Sequence, residues 1–208
     1  MYFKSRIQAA QSLAEALEKY RGSHPLVLAI PRGGIPLGKV IADQLEGDLD
    51  VVLVHKIGAP ENPEFAVGSV SEFGTLYISE AARLYGIPLE SLEQTAQSEL
   101  EKLKRRRESY SPIRPPINPE GRVAILVDDG IATGATMLAA VRAIRSKMPH
   151  RIVVASPVVS PEAANTLRQE ADEVITLAIP EHFFSISQFY EEFPQVSDEE
   201  VLHILASA

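Results

Sequence analysis

Apolar positions along this chain change their period repeatedly, and the changes divide it into elements. Between Ser5 and Tyr20, the residues Ile7, Ala10, Leu13, Ala14 and Leu17 recur at helical spacing, with Ser5 placed to cap and Gly22 to close. Leu26 to Ile30 is a short apolar run that predicts a strand, Pro31-Arg32-Gly33-Gly34 is a turn, and a helix follows from about Pro36 to Leu45. Val51 to Val54 predicts the next buried strand and delivers His55 and Lys56 at its carboxyl end. From Gly58 to Gly74 turn residues dominate, with a short alternating piece over Ala66 to Val70. A helix is predicted from Ser79 to Tyr85, broken by Gly86-Ile87-Pro88, and a long polar one from Leu89 to Tyr110. Beyond the Pro-rich link Pro112 to Pro119, Val123 to Val127 is apolar at every position, as in a strand buried on both faces of a parallel sheet. A helix over Met137 to Lys147, a strand over Arg151 to Ala155, a helix over Pro161 to Gln169 and a strand over Glu173 to Leu177 continue the alternation. Asp198 opens a final helix.

Strand and helix alternating from residue 26 onward predict an α/β fold, a Rossmann-like, open, mostly parallel sheet flanked by helices. Residues 79–120 then read as a helical insertion, and the length of 208 suits a single domain spanning 1–208.

Composition narrows the function classes. No stretch reaches the roughly 20 apolar residues that a membrane span needs, and the start, Met-Tyr-Phe-Lys-Ser-Arg-Ile, carries no apolar leader. A soluble, cytoplasmic protein is expected. The absence of cysteine removes disulfides, thiolate zinc sites and thiol nucleophiles. A formal charge of −8 argues against nucleic acid as the main partner, because affinity there comes largely from Lys and Arg on phosphates. The basic run Lys102, Lys104, Arg105, Arg106 and Arg107 is flanked by Glu93, Glu99, Glu101 and Glu108, and reads as a solvated face with local ion pairs.

The candidate chemistry sits where the Val123 to Val127 strand ends. Asp128 and Asp129 come first, then Gly130, then Ala132-Thr133-Gly134-Ala135-Thr136 at the start of a helix. Such a turn offers backbone N–H groups and two hydroxyls to an anion, with no bulky side chain in the way. Paired carboxylates just before it can accept hydrogen bonds from a sugar diol or from water on a divalent metal. The competing reading is an Asp-rich turn with a capping threonine, which fewer of these positions satisfy together. A second strand-turn-helix, at Pro31 to Gly34, pairs two glycines that let the backbone approach an anion with Arg32, whose guanidinium offers a bidentate fork. Alone, that turn would be ordinary turn chemistry. Lys56 is either a basic group near the same anion or a solvated strand end, and His55, with no second ligand beside it, reads as structural.

The string Ile125-Leu-Val-Asp-Asp-Gly-Ile-Ala-Thr-Gly-Ala-Thr136 resembles the phosphoribosyl-pyrophosphate signature of the type I phosphoribosyltransferases. That resemblance implies ribose hydroxyls at Asp128 and Asp129, the 5-phosphate at Ala132 to Thr136, and pyrophosphate at Arg32, Gly33 and Gly34, where the family often has a cis peptide. It implies Mg²⁺, held by Asp128 and Asp129 through water, and a catalytic set of Asp128, Asp129 and Lys56, with Asp129 a candidate to take the acceptor's proton. It places a mobile loop over residues 58–74, where Glu64 and Glu72 could assist but read more simply as surface carboxylates. It implies a hood over the acceptor from residues 179–208. There Ile179-Pro180-Glu181-His182-Phe183 is similar to the purine transferases and makes Phe183 the candidate base-stacking residue. The two polar base readers of those enzymes are missing, with Tyr190 and Ser160 in their places. The expected activity is that of a glycosyltransferase of the phosphoribosyl type acting in nucleotide salvage, with a nucleobase-like acceptor left unassigned. A homodimer is a further implication. Two other classes stay open: a regulator that binds phosphoribosyl pyrophosphate without turnover, and a phosphate-ester hydrolase on a similar sheet.

Overall fold

The computed structural model describes residues 2–59 and 62–208; the side chains of Pro63, Glu64 and Ala81 are also outside the described set. Five strands form a parallel sheet: β1 (Leu26–Ala29), β2 (Asp48–Val51), β6 (Val123–Val127), β7 (Arg151–Val158) and β8 (Glu173–Ala178), in the order β2-β1-β6-β7-β8. The central strand, β6, and its neighbour β1 are the two that lead into the Gly-rich turns. Ala29 pairs with Val127 at their carboxyl ends, so the turns emerge side by side. Ligands of open α/β sheets collect outside strand carboxyl ends in this way.

Both faces are covered, which is why β1 and β6 read as continuous apolar runs. Val27, Ala29, Ile125 and Val127 pack on one side with Leu13 and Leu17 of the N-terminal segment and Ile35 and Ile41 of the next helix. Leu26, Leu28, Ala124 and Leu126 face the opposite side, toward Met137, Ala140, Ile144 and Leu167. The helices are α1 (Arg6–Ala16), α2 (Gly34–Leu45), α3 (Glu80–Leu84), α4 (Leu89–Tyr110), α5 (Ala135–Arg145), α6 (Pro161–Glu170) and α7 (Asp198–Ala206). Hydroxyls of Ser5, Ser160 and Ser197 cap α1, α6 and α7 through Gln8, Ala163 and Glu200 N–H groups. No helix among the described residues is long and apolar enough to cross a membrane.

A second sheet corrects the expected course of residues 48–78. The strand lies at Asp48–Val51 and not at Val51 to Val54; Val52 and Leu53 are a buried connection. Charged Asp48 and Asp50 hid it, and Asp50 can be buried only because Arg107 meets it. His55 and Lys56 therefore belong to β3 (Val54–Ala59), which pairs antiparallel with β4 (Asn62–Ser71), itself paired with β5 (Leu76–Ile78). The sequence pattern showed only the middle of β4 and nothing of β5.

Two polar expectations also change. Glu72 is no surface carboxylate: both its oxygens accept hydrogen bonds from Arg107, and one also accepts from the Leu53 N–H at 2.9 Å. Arg107, read as part of a solvated face, is 9% exposed and binds Asp50 at 2.8 Å and the Val51 carbonyl at 2.6 Å as well. α4 packs on the three-stranded sheet, and the last basic residue of the run ties it to β2 as well. Its neighbours Lys102 and Lys104 do form the expected local pairs with Glu99 and Glu101. The side chain of Glu64 lies outside the described residues.

Candidate functional site

The turn after β1 and the acids after β6 touch. The Ile30 N–H donates to the Val127 carbonyl at 2.9 Å, drawing the Pro31 to Gly34 turn across the end of β6. A Cβ on Gly33 would stand 2.1 Å from an Asp129 carboxylate oxygen, and one on Gly34 would stand 2.5 Å from the Val127 carbonyl oxygen. Only glycine permits this approach at either position. The peptide between Pro31 and Arg32 is cis, as the turn's resemblance led one to expect. Arg32 reaches outward, its guanidinium 3.7 Å from Asp198 at the start of α7.

Asp128 and Asp129 differ sharply in their surroundings. Asp129 is buried, accepts the Arg6 Nε–H at 2.8 Å, and has its backbone carbonyl bonded by the Tyr190 hydroxyl at 2.6 Å. Arg6 also donates to the Pro194 carbonyl at 2.6 Å and lies over the Phe193 ring, 3.7 Å from its centre. Asp128 accepts the Asp129 N–H at 2.9 Å, and among the described residues it has no cation at hydrogen-bond distance. Burial first, and then the neighbouring Asp129 charge, push its carboxyl well above the ordinary range. Burial also raises Asp129, but there the Arg6 guanidinium pulls the other way. Burial and the Asp129 charge raise the Tyr190 phenol, leaving it a neutral donor.

Beyond the acids, the Ile131 N–H donates to Val158 at 2.9 Å, fixing the loop against β7. Ala132 and Thr133 are exposed, and Gly134 enters α5 with φ of +77°, a conformation that favours glycine. Gly134, not a threonine, occupies the cap position, and the Ala135 N–H has only a long bond, 3.5 Å, to the Thr133 hydroxyl. The first turn of α5 can thus still offer N–H groups to an external acceptor. Ser160 anchors the loop from below, donating to the Ala132 carbonyl at 2.5 Å. Its place opposite the missing lysine reader is therefore structural.

The structure thus brings together Arg32, Gly33, Gly34, Asp128, Asp129 and the Ala132 to Thr136 loop. It does not place Lys56 at the end of a central strand; Lys56 lies within β3, opposite Ser69. Phe183 is half-buried against Phe189, ring centres 5.1 Å apart, whereas the adjoining Phe184 is 88% exposed. Ile186 covers Gly130 so closely that a Cβ there would stand 2.4 Å from it. Tyr190 and Ile186 bring the C-terminal segment against Asp129 and Gly130. Sequence reasoning missed Arg6, although one signal existed: a basic residue in the first turn of a helix opposes the helix dipole and needs another reason to be there.

A cation fits this donor set in one manner. No group of three or more His, Cys, Asp or Glu among the described residues could hold a metal by itself. Two adjacent carboxylates, one without a cation, suit a Mg²⁺ that keeps waters and takes its other oxygens from a phosphorylated ligand.

The model of the phosphoribosyl transferase domain matches residues 4–193. A Mycobacterium tuberculosis protein, provisionally named phosphoribosyl transferase Rv0571c, is 36% identical over 207 residues, which is 99% of this chain and 47% of that protein. The chain spans about half the length of the curated relatives it matches. The crystal structure of TT1426 from Thermus thermophilus superposes with a TM-score of 0.90 at 44% identity, covering 100% of this chain and 99% of that one. AQ2163 from Aquifex aeolicus shares the fold alone, with a TM-score of 0.51 at 11% identity over 84% of this chain and 72% of that one. Together with the two touching turns at the centre of the sheet, the matched residues establish that this chain belongs to the family of phosphoribosyl transferase domains.

Proposed function

We propose that the chain is a transferase of the phosphoribosyl type, moving the 5-phosphoribosyl group of phosphoribosyl pyrophosphate to a nitrogenous base with release of pyrophosphate. The observation that supports this reading is the contact of Gly33 with the Asp129 carboxylate, which sets the Pro31 to Gly34 turn against the paired acids. Asp128 and Asp129 would accept the ribose hydroxyls, the Ala132 to Thr136 loop would hold the 5-phosphate, and Arg32 with the Gly33 and Gly34 amides would hold the pyrophosphate. Mg²⁺, bound through water at Asp128 and Asp129, would neutralise charge on the departing pyrophosphate. Lys56, on β3, would add a further cation for the pyrophosphate. Asp129, bonded by Arg6, would orient the sugar, and because burial raises its carboxyl it would remain a candidate to take the base's proton. The setting would be the cytoplasm, the role nucleotide salvage, the assembly a homodimer, and the working unit one domain.

A second reading keeps its ground through a specific observation. Tyr190 is committed to the Asp129 carbonyl and Phe183 to Phe189, so neither is set aside for a base. A regulator that binds phosphoribosyl pyrophosphate without turnover would tolerate that. Calorimetric titration of phosphoribosyl pyrophosphate with Mg²⁺ into the wild type and an Asp128→Asn, Asp129→Asn double variant tests the site. Binding by the wild type and a loss of about 100-fold or more in the variant is expected, since several charge-assisted contacts vanish. No binding by the folded wild type would overturn the site. A pyrophosphate-release screen over purines and pyrimidines then separates transferase from regulator.

A further inference from the structure

Beside the diphosphate turn lies a cavity of about 600 Å³, lined by Arg32, Arg106, Ser109, Tyr110, Asp198 and Leu202. Arg106 stands near the carboxyl end of α4, just before its last turn, and its Nε–H donates to the Tyr110 hydroxyl at 3.0 Å, while its Nη2 faces Asp198 across the cavity. Arg32 faces it from the β1 turn. Both guanidinia converge on one oxygen of Asp198, at 3.7 Å for Arg32 and 3.9 Å for Arg106. These separations exceed hydrogen-bond length, so the carboxylate balances charge without satisfying donors. Two cations thus face one anion here, in a chain whose net charge is −8. Asp198 is loosely held, its side chain 70% exposed. The other acids of the first turn of α7, Glu199 and Glu200, do not line the cavity, and Glu200 lines a different one beside Arg6.

We propose that this cavity extends the diphosphate seat: Arg106 is a second guanidinium for the outer phosphate, and Asp198 is an internal counter-anion that an incoming diphosphate displaces. A diphosphate carries more oxygens than a carboxylate and can approach both forks at charge-assisted distances, where Asp198 reaches neither. Leu202 and the Tyr110 ring supply an apolar wall, on which the phosphates meet less water and the guanidinia act more strongly. The seat rests on the reading of Arg32 as a pyrophosphate ligand, but Arg106 and Asp198 lie outside the family signature, on α4 and α7.

Inorganic pyrophosphate is the direct probe. Titrated calorimetrically into the full chain, it should bind Arg106→Gln about tenfold more weakly than wild type, as one charge-assisted pair is lost. It should bind Asp198→Asn about threefold more tightly, as competition and repulsion are both removed. Affinities for both variants within twofold of wild type would overturn the proposal. Should Arg106→Gln melt early, Asp198→Asn decides, since its side chain is 70% exposed. The same variants titrated with phosphoribosyl pyrophosphate separate the outcomes. Parallel weakening in Arg106→Gln is expected; loss for pyrophosphate alone would overturn the assignment to the donor's diphosphate. Were the donor lost only in the Asp128, Asp129 double variant, the proposed function would stand and the seat would fall. Were the wild type to ignore the donor yet bind pyrophosphate through Arg106, the seat would stand and the function would fall.

Discussion

Two buried arginines meet carboxylates at the carboxyl ends of two strands of one sheet, and they end differently. At the edge strand β2, Arg107 faces Asp50 and Glu72 and the Val51 carbonyl, while the remaining acceptors take backbone N–H groups of Val51, Leu53 and Ile117. At the central strand β6, Arg6 meets Asp129, and among the described residues Asp128 beside it takes one backbone N–H. The first cluster is closed and the second is open by one charge. A closed network fixes elements to one another, here α4 and β4 to β2. An open one keeps a carboxylate in want of a partner, which a cation or a sugar hydroxyl can supply. Position in the sheet is shared; completeness of the polar partners separates anchor from site.

The largest effect should come from breaking the closed cluster. Arg107→Met strands two buried carboxylates, and removal of one partner from such a network costs about 3–5 kcal/mol. Urea unfolding should show that loss, while the variant that remains folded keeps its affinity for phosphoribosyl pyrophosphate. A change below about 1 kcal/mol would mean that water or rearrangement replaces the guanidinium, and the cluster would not be closed.

Arg6→Gln should act on both quantities. Asp129 loses a charge-assisted bond and Phe193 a cation over its ring, a stability loss of about 2 kcal/mol. Donor affinity should fall as well, because Asp129 is then free to turn away from the diol. Equal affinity in wild type and variant would show that the Gly33 contact holds Asp129 by itself and that Arg6 is only an anchor, like Arg107.

What the sequence revealed follows the same division. β6 and α4 were legible to the residue, one from an unbroken apolar run and the other from its polar periodicity between Pro88 and the proline-rich link. The paired acids Asp128 and Asp129 and both glycine turns were legible because local geometry, a strand end and a helix start, dictates their residue types. Partnership across the chain was not. Arg6 and Asp129 stand 123 positions apart, Arg107 and Asp50 57, and neither pairing leaves a local pattern. β2 was misplaced for that reason, since Asp50 looks like a turn residue until its cation is known. β5, three residues of intermediate burial, has too short an alternation to read.

The smallest effect, and the one with an unusual sign, belongs to Asp128→Asn. The carboxyl of Asp128 titrates above its unfolded value of about 3.9, because burial and the Asp129 charge favour its neutral form. Through that window the folded chain holds more protons than the unfolded chain, so Asp128 makes stability fall as pH rises. Asparagine keeps the acceptor for the Asp129 N–H and removes the titration. The variant should therefore melt higher than wild type at pH 7.5, and the gap should close as pH falls toward the ordinary carboxylate range. Binding of the donor with Mg²⁺ should move oppositely, strengthening with pH in the wild type, since the ion selects the ionised carboxylate, and losing that dependence in the variant. A variant less stable than wild type at pH 7.5 would mean that the Asp128 charge is already compensated in the folded chain. The two clusters would then be alike in kind, and the contrast between an anchor and a site would have to rest on geometry alone.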